Sequence, residues 1–217
     1  MRIGTLPSAA AILAIAGSCC AAQDRPKTLC EFDGFSANPI LAEVATAKPA
    51  AGYYGCSSAR NCLPTKLAPG DPVVVFHAGP DWTCGYLSQA HGAGPGWVRS
   101  TDIRPVNFDA APPLDAWVGT WANGDDRIGI QLSKAPGKVG LQGEAVWHGR
   151  TKDAVHTGDF AGEAAPVGNH LHFVESDADS CTIDLTLIGQ YLVANDNNRC
   201  GGENVRFWGI WKRAPGQ

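Results

Sequence analysis

Between Trp117 and Arg213 apolar residues return at every second position, as in Ile128, Ile130 and Leu132; Val139, Leu141, Ala145 and Trp147; Leu171 and Phe173; Ile183, Leu185 and Leu187; and Val205, Phe207 and Trp211. A two-residue period with polar residues between marks strands that bury one face and wet the other. Turn signals divide these runs at Asn123-Gly124, Pro136-Gly137, Gly168-Asn169 and Asn195-Asp196-Asn197-Asn198. Six or more short antiparallel strands are therefore expected, closed into a barrel or stacked as a sandwich. The chain's 26 glycines and 15 prolines favour turns over long helices, so the fold class expected throughout is all-β.

Upstream, Leu67 to Val106 carries the same kind of punctuation. A turn at Pro69-Gly70-Asp71 precedes an apolar strand, a turn at Gly79-Pro80 precedes a strand around Trp82, and a Gly-rich stretch leads into Gly96-Trp97-Val98. Strands about ten residues apart predict a second, smaller barrel. Alternation stops over Val106 to Pro113, where Ala and Pro accumulate and two prolines stiffen the chain. This divides the sequence into a first domain at 27–106, a linker at 107–113 and a C-terminal domain at 114–213. Each is small for a single core, which is the size at which cross-links become useful.

The cysteines fit that need. Residues 1–22 place Arg2 ahead of a short apolar run and small residues, the order of a secretory signal peptide. The run is shorter than the roughly 20 apolar residues a spanning helix requires, so no membrane span is expected. Cleavage after Ala21 or Ala22 is one route; acylation of Cys19 is the other, because Ala16-Gly17-Ser18-Cys19 resembles a lipobox with alanine where leucine is preferred. Conventional cleavage leaves Cys30, Cys56, Cys62, Cys84, Cys181 and Cys200, an even set suited to an oxidising periplasmic or extracellular compartment. Cys181 and Cys200 are the only two beyond the linker and are expected to pair. Such a bridge is worth about 3 kcal/mol. Among the other four, Cys56–Cys62 with Cys30–Cys84 is one of three pairings that the sequence leaves open.

Leu67, Gly70-Asp71, Val73 to Val75, Trp82, Gly96-Trp97-Val98 and Ile103 together resemble the second half of bacterial SH3 domains. Val44 to Pro49 continue the likeness toward the N-terminus, while the family's Asn-Val-Arg-Ser-Gly-Pro run is replaced by the cysteine-containing loop. The resemblance implies an SH3-like small barrel without catalytic activity, directed at peptidoglycan or another envelope protein. Its ligand-groove candidates are Tyr53, Tyr54, His77, Trp82, Tyr86 and Trp97, with core packing as the simpler role for Trp82 and Trp97. Trp117-Val118-Gly119-Thr120-Trp121 looks like the Gly-x-Trp start of lipocalin-like and avidin-like barrels, although tryptophans can fill a small barrel's interior. The ending, Asp196-Asn197 to Cys200-Gly201-Gly202 with Asn204-Val205-Arg206-Phe207 and Arg213, is also similar to uncharacterised exported bacterial β-barrel domains.

Few constellations carry chemistry. His170 and His172 share one face of a strand, with His148 and His156 on a neighbouring segment; paired imidazoles can hold zinc or copper, while two solvent-facing residues on a half-wet sheet is the simpler reading. Glu144, Asp159, Glu163, Asp184 and Asp126 offer no recognisable acid-base arrangement. Asp177-Ala178-Asp179 and Asn195-Asp196-Asn197 lack EF-hand spacing and read as Asx-rich turns. Nucleophile-elbow, metalloprotease and phosphate-loop motifs are missing, so neither catalytic residues nor a cofactor are expected. A net charge of −4 without runs of either sign removes the basic footprint of nucleic-acid binding. The expectation is a non-enzymatic exported envelope protein that binds peptidoglycan or an envelope partner. A periplasmic inhibitor or immunity protein against a wall-degrading enzyme is the first alternative, and an enzyme with an unrecognised site the second.

Overall fold

A computed structural model describes residues 29–31, 34–36, 38–46, 50–54, 63–89, 92–151, 153–176 and 180–214. Its strands form two antiparallel sheets, one a half-barrel and the other a nearly closed barrel. The first sheet holds β1 (Ile40–Val44), β2 (Ala50–Tyr54), β3 (Leu63–Leu67), β4 (Pro72–Ala78), β5 (Trp82–Gln89), β6 (Gly92–Arg99) and β7 (Ile103–Pro105) in the order β3-β2-β6-β5-β4-β1-β7. Inside its curve lie Val44, Ala50, Leu67, Val73, Leu87 and Val98, all aliphatic and small, with Ile103 at the edge. Gly70, at a φ of 81°, makes the turn into β4 that the sequence marks.

The second sheet runs β8 (Gly119–Asn123), β9 (Asp126–Leu132), β10 (Val139–His148), β11 (Val155–Ala164), β12 (His170–Val174), β13 (Thr182–Ile188), β14 (Tyr191–Asp196) and β15 (Gly209–Arg213). Its order is β11-β10-β9-β8-β15-β14-β13-β12, so the first and last strands pair and the opening falls between β11 and β12. Trp117, Trp121, Trp211, Phe160 and Phe207 fill the interior and are essentially inaccessible to solvent. A barrel occupied by rings in this way is a packed core rather than a ligand cavity.

The loop after β14 closes the opening. Cys181 and Cys200 are joined by a disulfide, and Gly202 N–H donates to Thr157 O, tying the loop to β11. Glycine is required on both sides of this contact: a Cβ on Gly201 would stand 2.5 Å from Gly158 Cα. Asp196 fastens the other end of the loop. Its carboxylate is fully buried and accepts from Arg206 Nε at 2.6 Å, Phe207 N at 2.5 Å and Asn198 N at 3.3 Å. Val205 and Phe207 are thereby buried from a loop, not from the strand that their spacing predicts; of that trio only Trp211 lies in β15. Leu132 also departs from expectation, being 58% exposed at the end of β9, where the barrel rim offers nothing to cover it.

The two sheets meet directly. A second disulfide, Cys30–Cys84, straps the segment before β1 across the outer face of β5. The strap's Phe35 lies 5.2 Å from Tyr86, 5.8 Å from Trp208 and 6.3 Å from Phe76, ring centre to ring centre. Leu41, Val74, Ile188, Tyr191, Val193 and Ile210 complete this shared cluster, and Tyr191 Oη donates across the seam to Gly70 O at 3.0 Å. The predicted linker joins in: Val106 packs on the cluster, and a Cβ on Gly168 would meet Ala110 O at 2.6 Å. The two disulfides indicate an oxidising environment. No helix among the described residues is long and apolar enough to cross a membrane.

Candidate functional site

Two surfaces gather the residues singled out from the sequence. The first is the outer face of the half-barrel. Alternation along β5 sends Leu87 into the aliphatic core and Trp82, Cys84 and Tyr86 to the opposite side. Register then sets Trp97 opposite both Cys84 and Tyr53. The Tyr53 and Trp82 rings meet edge to face at 5.5 Å, and the Arg99 guanidinium lies 4.4 Å above the Trp82 ring. Such a cation over an indole face is worth about 0.5–2 kcal/mol, according to how well it is desolvated. Tyr53 is buried, whereas Trp82 and Trp97 keep part of their surface in solvent.

The remaining groove candidates separate from this patch. Tyr86 sits beyond the Cys30–Cys84 bridge, 6% exposed within the seam, and burial pushes its hydroxyl pKa up. It is a packing residue between the barrels, because β5 is long enough to serve the patch at one end and the seam at the other. His77 is exposed near the end of β4, where the register with β5 shifts. The side chain of Tyr54, and Cys56 and Cys62 with their expected bridge, lie outside the described residues, as does Asp177-Ala178-Asp179.

The second surface runs along the seam. On β12, Leu171 and Phe173 point into the barrel and His170 and His172 out of it. The ladder sets His172 beside Asp184 and Asp184 beside Asn195, with His170 beside Thr186 in the next row. His172 Nδ1 lies 2.6 Å from Asp184 Oδ1, and His170 Nδ1 lies 3.1 Å from Thr186 Oγ1. Ser36, Asn38 and Pro39 of the strap wall the space in front, a cavity of about 440 Å³. A neighbouring hollow of about 610 Å³ shares Asn38, Pro39, His170 and Thr186 and continues to Ile40 and Phe108, which are 62% and 54% exposed. The groove is thus polar at the His172 end and apolar at the Phe108 end.

His148 and His156 do not join this group. They lie at the far end of the β10–β11 ladder from the turn into β12, where the His156 ring packs on Trp147 at 5.2 Å and its Nδ1 lies 2.6 Å from Glu203 O. Of the Asn195-Asp196-Asn197 run expected to be a turn, Asn195 and Asp196 are instead the end of β14, paired with Asp184 and Ile183, and the chain leaves the strand only at Asn197. The Asp196 carboxylate is spent on Arg206 and two backbone amides, while Asn197 Oδ1 accepts from Thr182 and Arg199 N–H. Asp126 is half-buried on the β9 rim and accepts from Val146 N–H at 2.9 Å; burial, the largest influence, raises its carboxyl pKa.

The strap residues and Trp208 were not among the sequence candidates, although both shape these surfaces. One signal for the strap existed: Cys30 precedes every strand, so pairing it with Cys84 obliges the intervening chain to cross β5. No family model, curated protein or solved structure matches the chain.

Proposed function

We propose that the chain is an exported, non-enzymatic envelope protein whose half-barrel is an SH3-like module that binds peptidoglycan through Trp82 and Trp97, with the buried Tyr53 packed beneath Trp82. The convergence of these three rings beside Arg99, on the face turned away from the aliphatic core, carries the reading. Flat rings with polar edges stack on the C–H faces of sugars, and a guanidinium donates hydrogen bonds to the carboxylates of the attached stem peptides. The ring-filled interior of the second barrel leaves outer surfaces for recognition. Fastening the barrels through one apolar seam gives two such surfaces a fixed relation, which raises effective concentration on a repeating polymer. The leader and the disulfides agree with delivery to an oxidising envelope, by plain cleavage or by acylation of Cys19.

Sedimentation of the intact protein with purified peptidoglycan tests this. Saturable co-sedimentation that falls at least tenfold in Trp82→Ala, with folding verified by circular dichroism, is expected. Absence of co-sedimentation overturns the reading, and stoichiometric block of a muramidase without it would transfer the proposal to the inhibitor class.

A further inference from the structure

The two outward histidines of β12 share one feature: each has its Nδ1 occupied by a side chain of the next strand. A carboxylate only accepts, so the 2.6 Å contact with Asp184 places the proton of neutral His172 on Nδ1 and the lone pair on Nε2. The Thr186 hydroxyl can hold His170 in the same tautomer from 3.1 Å. Metal-ligating histidines are held in this way, the far nitrogen donating to a carboxylate or another oxygen while the near one faces the ion. Cα atoms two residues apart on a strand are about 6.8 Å from one another, a span that two imidazoles tilted together can close onto one ion.

We propose that His170 and His172 form a two-histidine site for a divalent transition-metal ion of the copper and zinc class. Among the described residues no three His, Cys, Asp or Glu side chains gather to hold a metal. The site therefore supplies two nitrogens and leaves the remaining positions to water or an exogenous ligand, unlike the four-ligand closed sites that hold structural zinc. Access is open: the His172 side chain is 60% exposed, and the cavity in front is walled by neutral residues of the strap, Ser36, Asn38 and Pro39. Imidazole ligands give copper the tighter binding of the two ions.

Titration calorimetry of the intact protein with Cu²⁺ and with Zn²⁺ tests the site. One saturable ion per chain is expected, with copper bound more tightly. His170→Gln and His172→Gln should each abolish that event. Asp184→Asn, which keeps a side-chain acceptor but removes the charge, should weaken it by about 10- to 100-fold. His148→Gln with His156→Gln should leave it unchanged. In the unsubstituted protein, the ¹⁵N resonances of the His170 and His172 rings should shift on adding Zn²⁺ while those of His148 and His156 stay in place. This readout does not depend on any variant folding. Absence of saturable binding, or binding that survives loss of His170 and His172, would overturn the proposal.

Discussion

The two sheets reach stability by opposite means. The β8–β15 barrel is built around three tryptophans and three phenylalanines and seals its opening with its own cross-linked loop. Among its described residues the β1–β7 half-barrel has aliphatics inside, and its outer face carries the rings. It is completed from outside, by the Cys30 strap and by the second barrel. The difference teaches that a half-barrel this small has two faces to satisfy. Here the surplus face becomes both the seam and the aromatic patch proposed to bind ligand.

The largest effect should come from the self-sufficient side. Removing the buried Asp196 carboxylate strands the buried Phe207 amide and leaves Arg206, one-third exposed, without its partner, at a cost at the lower end of the about 3–5 kcal/mol seen for broken buried pairs. A shift in the urea midpoint of Asp196→Ala worth under 1 kcal/mol would mean that the plug holds without its anchor. Phe35→Ala removes the ring shared by Phe76, Tyr86 and Trp208, and deleting a buried phenylalanine costs about 3–5 kcal/mol when its surroundings do not collapse. Because the strap is more exposed than a barrel centre, the lower end is expected. The loss should fall on the half-barrel, splitting a single unfolding transition into two; one unshifted transition would refute the dependence argued above.

A smaller change sharpens the same contrast. Tyr191→Phe deletes the hydroxyl that reaches Gly70 O across the seam, and should cost about 1 kcal/mol with the transition still single. The smallest effect concerns pH. The Asp126 pKa is raised in the fold, so its contribution is fully present below the unfolded carboxyl pKa of about 3.9 and is lost as pH rises through the folded value. Asp126→Asn should therefore be no less stable than the parent at neutral pH, with the difference closing on acidification. A variant that is weaker at pH 7 and equal at pH 3 would reverse the sign.

Much of the second barrel was legible because its interior face obeys a strict period of two. The same rule misled at Val205 and Phe207, since a buried loop with residues alternating into the core has the spacing of a strand. The seam was present in the sequence as doublets: Leu187-Ile188, Leu192-Val193 and Ile210-Trp211 put apolar side chains on both faces of a strand, which signals cover on both sides. Phe35 had no such periodicity around it, and only Cys30 betrayed its course. Of the candidate surfaces, the shared face of His170 and His172 follows from strand geometry alone. Their cross-strand partners do not, because pairing between β12 and β13 depends on a register fixed by distant packing.

Phe35 and Trp208 come from opposite ends of the chain, and a ribosome makes the first long before the second. Until Trp208 and β15 arrive, the newly made N-terminal half holds Phe76 and Tyr86 with Phe35 alone against them, a sticky interval that invites self-association or a holding chaperone. Truncation near the C-terminus would therefore harm the half that was made first.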